Sequence, residues 1–72
     1  MIKKGDIITI KPQWQDAGNA RFTWVARNDE ENGRVDISAL ELAYMPVWPM
    51  KTVRGDMIEA TGRRLELQGS RR

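Results

Sequence analysis

Three aromatic side chains, Trp14, Tyr44 and Trp48, fall in segments that also carry Pro12, Pro46 and Pro49. Rings on proline-bounded loops build grooves for an extended peptide, or platforms on which unpaired bases stack. The same rings can instead plug the open ends of a very small sheet protein, because each buries a large apolar area. Arg63, Arg64, Arg71 and Arg72 are the strongest basic signal, and arginines on a flexible segment supply phosphate contacts that weaken steeply with salt. A solubilising tail is the other use of those four charges.

The acidic side chains point less clearly to chemistry. Asp29, Glu30 and Glu31 are consecutive and lack the alternating oxygen-ligand spacing of a calcium loop, so they read as a solvated turn. Asp16, Asp36 and Glu41 would serve catalysis only at a set separation and with a raised pKa, neither of which is read from a sequence. Arg54-Gly55-Asp56 matches an adhesion tripeptide but reads as a β-turn. With no cysteine and no histidine, the chain lacks disulfides, thiolate metal sites and the commonest general base. A non-enzymatic protein without metal or cofactor is expected.

These side chains have to be positioned by a chain of only 72 residues. A chain this short buries roughly 60% of its unfolded surface and has material for one core. Its composition, 40% hydrophobic and 31% charged, is that of a globular domain, and no apolar run approaches a membrane span. Residues 1–60 hold eight Lys/Arg against nine Asp/Glu, a net charge of −1, whereas residues 61–72 hold four arginines against Glu66, a net charge of +3. The expected organisation is therefore a near-neutral domain over residues 1–60 and a basic flexible tail over residues 61–72. Met1 leads directly into Ile2-Lys3-Lys4-Gly5 without a signal-like apolar stretch, and a cytoplasmic location is expected.

Strand signals dominate the domain. Ile7-Ile8-Thr9-Ile10 is β-branched throughout, follows a Gly5-Asp6 turn and runs into Lys11 and Pro12, where the ladder loses a donor. A long connection over residues 13–20 leads to a second strand, Arg21 to Arg27. Trp24 is a core residue there, with Phe22 and Ala26 on its face and Thr23 and Val25 opposite. Asn32-Gly33 predicts a tight hairpin into the alternating run Arg34 to Ser38. Residues 39–45 fit one or two helical turns, a loop or a short edge strand, ended by Pro46 and Pro49. Around Gly55, the spacing of Val53, Met57 and Ile58 predicts a short turn and a last strand.

Four to five short strands without a crossover helix predict an all-β fold, an antiparallel sheet closed into a small barrel. Ile8, Ile10, Trp24, Val35, Ile37, Val53 and Met57 are its candidate core. Gly5-Asp6-Ile7-Ile8-Thr9-Ile10, a long loop, the Phe22 to Ile37 hairpin and Pro49-Met50-Lys51-Thr52-Val53 before a last strand resemble the order of elements in SH3-like small β-barrels. That group includes nucleic-acid binders of the KOW type, peptide-binding adaptors, plasmid-borne reductases that build a site by oligomerising, and endoribonuclease toxins, so the resemblance implies a fold and no single function. The Lys-Gly/Gly-rich turn of the KOW pattern is absent after the first strand. The compact, neutral domain also resembles accessory proteins of phages or plasmids. The expected function is an interaction module that binds a protein or peptide through Trp14, Tyr44 and Trp48. The alternative is a nucleic-acid-binding module assisted by Arg63, Arg64, Arg71 and Arg72.

Overall fold

The computed structural model describes residues 1–15 and 21–65. Five strands, β1 (Asp6–Ile10), β2 (Trp24–Ala26), β3 (Arg34–Ala39), β4 (Lys51–Arg54) and β5 (Ile58–Arg64), form one antiparallel sheet. Its order is β4-β3-β2-β1-β5, so β1 is flanked by β2 and β5 while β4 and β5 are the edges. Single 3-10 turns at Pro12–Trp14, Leu40–Leu42 and Gly55–Met57 link strands. The fold is all-β, and the sheet is open in its hydrogen bonding where a closed barrel was expected.

The sheet nevertheless curls strongly. In a flat five-stranded sheet the two edges would lie about 19 Å apart, four spacings of ~4.8 Å. Here Arg54, ending one edge, and Ile58, starting the other, are separated by a single 3-10 turn that rises roughly 2 Å per residue. The chain can make that connection only if the edges approach each other at this corner. The concave side of the curl then encloses the apolar side chains.

Strand alternation places those side chains. Ile8, Ile10, Trp24, Ala26, Val35, Ile37, Ala39, Val53 and Ile58 form one buried cluster together with Ile2, and Phe22, Leu42 and Met57 pack against it. Six of the seven expected core residues are buried, and Met57 sits half-buried at the rim. The Phe22 ring meets Trp24 edge-on at 5.8 Å. Trp24, Val25 and Ala26 are the whole of β2, shorter than expected because the Thr23 amide, at 2.8 Å, serves the Glu41 carboxylate. Backbone bonds still flank the strand, from Leu40 N, just past the end of β3, to Thr23 O at 2.8 Å and from Arg27 N to Asp36 O in β3 at 2.7 Å.

Two glycine positions set the connections. Asn32 and Gly33 have φ of 55° and 76°, and Glu31 and Arg34 exchange backbone bonds of 2.8 and 3.0 Å across them. This is the two-residue hairpin whose left-handed backbone matches the strand twist. Gly5, with φ of 92°, donates to Ala26 O at 2.9 Å and accepts from Leu65 N at 2.7 Å. A β-carbon at Gly5 would collide with the Leu65 carbonyl oxygen.

The last strand runs four residues past the expected boundary at residue 60. Register shifts in the β1–β5 ladder between Asp6 and Ile8, and Gly62 takes φ of 89° there. Pairing then resumes at Asp6 and Arg64, where the Asp6 carboxylate lies 3.2 Å from the Arg64 guanidinium. Arg63 and Arg64 are therefore strand residues. Arg71 and Arg72 lie outside the described residues.

The two glycines should respond differently to alanine. Gly33→Ala meets open space and should cost about 1 kcal/mol of strain at positive φ, whereas Gly5→Ala adds a backbone collision and should cost about 2 kcal/mol or more. Urea unfolding monitored by tryptophan fluorescence measures both, and equal losses would mean that the Gly5–Leu65 contact does not constrain the fold.

Candidate functional site

The ladder between β3 and β4 ends in a way that shapes the loop joining them. Its register pairs Ile37 with Lys51, and two residues further on Ala39 would face Pro49. Proline has no N–H to donate. The Trp48 indole supplies the missing donor, Nε1 to the Ala39 carbonyl oxygen at 2.7 Å. The indole ring lies under Arg27, whose guanidinium carbon is 4.4 Å from the ring centroid. Arg27 in turn donates to the Ser38 hydroxyl at 3.0 Å. Ser38 and Val25, paired across β2 and β3, are fully buried here on the side opposite the main core.

Trp48 is thus half-buried and structural, and the residues around it are not. Tyr44 is 81% exposed, Val47 79% and Met50 58%, and Met45 is exposed as well. Backbone bonds of 3.1 Å from Ala43 to Leu40 and from Met45 to Leu42 fix the start of the loop, and Pro46 and Pro49 stiffen its remainder. Beside it, Trp24, Ala39, Leu42, Pro49, Met50 and Lys51 line a cleft of about 150 Å³. The Lys51 ammonium lies 5.3 Å from the Trp24 ring centroid.

Trp14 belongs to another corner. It ends the turn Pro12–Trp14, and Lys11 just before that turn donates to Met57 O at 2.8 Å. Its ring is 43% exposed and faces the Arg54 guanidinium at 5.3 Å. Tyr44 and Trp48 share the loop before β4, whereas Trp14 meets the arginine that ends β4. The structure seats Trp14 and Trp48 on different arginines rather than in one groove.

The charged candidates are largely occupied. Arg64 donates to Lys4 O at 2.8 Å besides pairing with Asp6, and Asp6 also accepts from Lys3 N at 2.9 Å. Arg63 is exposed. The Asp29 and Glu30 carboxylates accept the Lys4 and Ile2 amides at 2.9 and 3.1 Å, and so tie the N-terminal segment down over the core. By type and order these two are residues of a solvated turn, and no local signal reveals an amide 25 or 28 residues away. Asp36 accepts from Thr52 Oγ1 at 2.5 Å and from Asn28 Nδ2 at 3.0 Å. Arg54 pairs with Asp56 at 3.1 Å across the Gly55 turn. Asp16 lies outside the described residues.

Glu41 shows what such a bond does to a carboxyl group. The Thr23 amide donating to it, with its own amide, holds it below the ordinary glutamate value. Its folded pKa is depressed, so this stabilisation is present above the unfolded pKa and is lost as pH falls through the folded one.

No family model, curated protein or solved structure matches this chain. Among the described residues, no group of three His, Cys, Asp or Glu could hold a metal ion, and no helix is long and apolar enough to cross a membrane.

Two outcomes follow from these bonds. Trp48→Phe keeps a ring under Arg27 but leaves the Ala39 carbonyl without its donor, which should cost about 1–2 kcal/mol in urea unfolding; no loss would show that solvent replaces the indole. In NMR titration the Glu41 carboxyl should protonate at lower pH than an unperturbed glutamate, and Glu41→Gln should make stability less dependent on pH across that acid range.

Proposed function

We propose that this chain is an SH3-like interaction module without catalytic activity, and that it binds a partner polypeptide through the loop between β3 and β4. The observation that carries the reading is a fixed loop whose large apolar side chains, Tyr44, Val47 and Met50, face solvent. Several large apolar side chains held exposed on one short fixed loop suit an interaction surface, because a small domain gains nothing for its own fold by displaying them. Trp48 contributes by holding the loop rather than by offering a free ring face, and Trp14 adds an exposed ring at the other end of β4. The sheet order, the long connection after β1 and the single 3-10 turn between β4 and β5 support the SH3-like reading.

Engagement of Asp36 and Glu41 as hydrogen-bond acceptors supports a non-catalytic role. The same consideration disfavours the nucleic-acid alternative, since Arg64 is spent on Asp6 and Lys4, and Arg27 on Ser38 and Trp48.

A displayed random-peptide library separates the two. The full chain should select peptides that the double variant Tyr44→Ser, Val47→Ser does not bind, although both proteins melt within a few degrees of each other. Peptide affinity should change little between 50 and 200 mM salt, whereas binding through four phosphate contacts would fall by about two orders of magnitude. Tight oligonucleotide binding with that salt dependence, and no peptide selection, would overturn the proposal.

A further inference from the structure

β4 is an edge strand whose start adjoins the apolar cleft through Met50 and Lys51, and its hydrogen-bonding pattern can be worked out from its neighbours. In an antiparallel ladder, bonded and non-bonded residue pairs alternate. Gly55 donates to Gly33 O at 2.8 Å, which makes that pair a bonded one. Arg34 and Arg54 are then non-bonded, Val35 and Val53 bonded, Asp36 and Thr52 non-bonded, and Ile37 and Lys51 bonded. The bond from Arg27 N to Asp36 O agrees, since it turns the Asp36 backbone toward β2. The N–H and C=O of Thr52 and the N–H of Arg54 therefore point away from β3, along the edge, while the Arg54 carbonyl is taken up by the Gly55–Met57 turn. No bulge or proline interrupts β4.

The other edge differs. Along β5 beyond Ile58 the side chains are Glu59, Ala60, Thr61, Gly62, Arg63 and Arg64, and the strand is bulged at Gly62. It offers no apolar anchor. At the start of β4, by contrast, Leu42, Pro49 and Met50 line the cleft beside Lys51. At its end, Arg54 stands directly across from Arg34. Like charges facing each other on adjacent strands destabilise the pair, and the exposed Asp56 partner of Arg54 offsets this only weakly. An anionic group brought to Arg34 and Arg54 would relieve the repulsion.

Resting on the polypeptide reading above, we infer that β4 accepts an extended acidic-apolar segment of a partner as a sixth, antiparallel strand. The guest residue opposite Arg54 is Asp or Glu. Three positions later, opposite Lys51 and on the other face of the guest, an aliphatic residue enters the cleft. The recognised pattern is thus acidic-x-x-aliphatic. Backbone bonds to the N–H and C=O of Thr52 and to the N–H of Arg54 supply the pairing, and the two side chains supply the selectivity.

The test uses the full chain and an end-blocked octapeptide with Glu at its third position, Leu at its sixth and Thr or Ser elsewhere. Binding should shift the Thr52 and Arg54 amide resonances and slow their exchange. Thr52→Pro removes an outward N–H that β3 does not use, and should weaken binding about fivefold or more. Thr52→Val, which loses only the hydroxyl bond to Asp36, should bind like the parent. Arg34→Glu should weaken the Glu peptide and recover binding to the same peptide with Lys at the third position. Equal affinities of the proline and valine variants, or a reversed peptide that binds as well, would overturn the inference. So would absence of binding at millimolar peptide. If the Tyr44/Val47-dependent selection survives any of those results, only the edge inference has failed; if it fails as well, the polypeptide reading fails too.

Discussion

One covalent constraint shapes this molecule: the two edges of its sheet are joined by a single 3-10 turn, Gly55–Met57. A five-stranded sheet bound in this way cannot lie flat, and its curl is what allows so short a chain to enclose a core. The curl also explains the residue sizes inside it. Val, Ile and Ala with Trp24 make up the buried cluster, and Phe22, Leu42 and Met57 occupy its margins. Closing the corner further depends on small contacts. Gly55 lies so close to the Glu30 carboxylate that a β-carbon would displace it, and the same carboxylate holds the Ile2 amide. The turn, the acidic segment and the N-terminal strand entry are therefore one packed unit.

At the opposite end of β4 the governing fact is a missing donor. Pro49 arrives where the ladder needs an N–H, and Trp48 answers with its indole. The substitution has a geometric cost, because a side chain cannot continue a strand. The chain leaves the sheet there, and residues 43–50 form a loop instead of a longer hairpin. The exposed apolar residues of that loop are a consequence of the site at which the ladder stops, and the Arg27 stack on Trp48 fixes their direction.

Local chemistry made part of this legible in the sequence. The β-branched run at residues 7–10, the Asn32-Gly33 hairpin and the burial of Trp24 all depend on neighbours within a few residues, and all are found. Long-range partners were not legible. Ile2 is buried with its amide anchored by Glu30, β5 reaches Arg64 where it pairs with Asp6, and Ser38 is buried with Arg27, stacked on Trp48, bonded to its hydroxyl. None of these follows from periodicity. The proline-flanked aromatics were found as a set, yet the set divides: Tyr44 is displayed, Trp48 is a pin, and Trp14 lies at another corner.

Each of the three tryptophans also carries a cation against its ring, Lys51 on Trp24, Arg54 on Trp14 and Arg27 on Trp48. Such pairs occur about once per 70–80 residues, so three in this chain is a dense arrangement. A near-neutral domain gains two things from it. The cation's stem and head cover ring faces that would otherwise be exposed apolar area, which lowers the tendency to self-associate. The cations are also held at defined places along β4 and its flanks instead of sampling solvent. A ligand that stacked on Trp48 would have to displace Arg27 and uncover Ser38, a costly exchange, whereas a ligand that paired with the strand edge and met the cations from outside would leave every stack in place. Contact along the strand is thus the mode that would leave the rings and charges undisturbed.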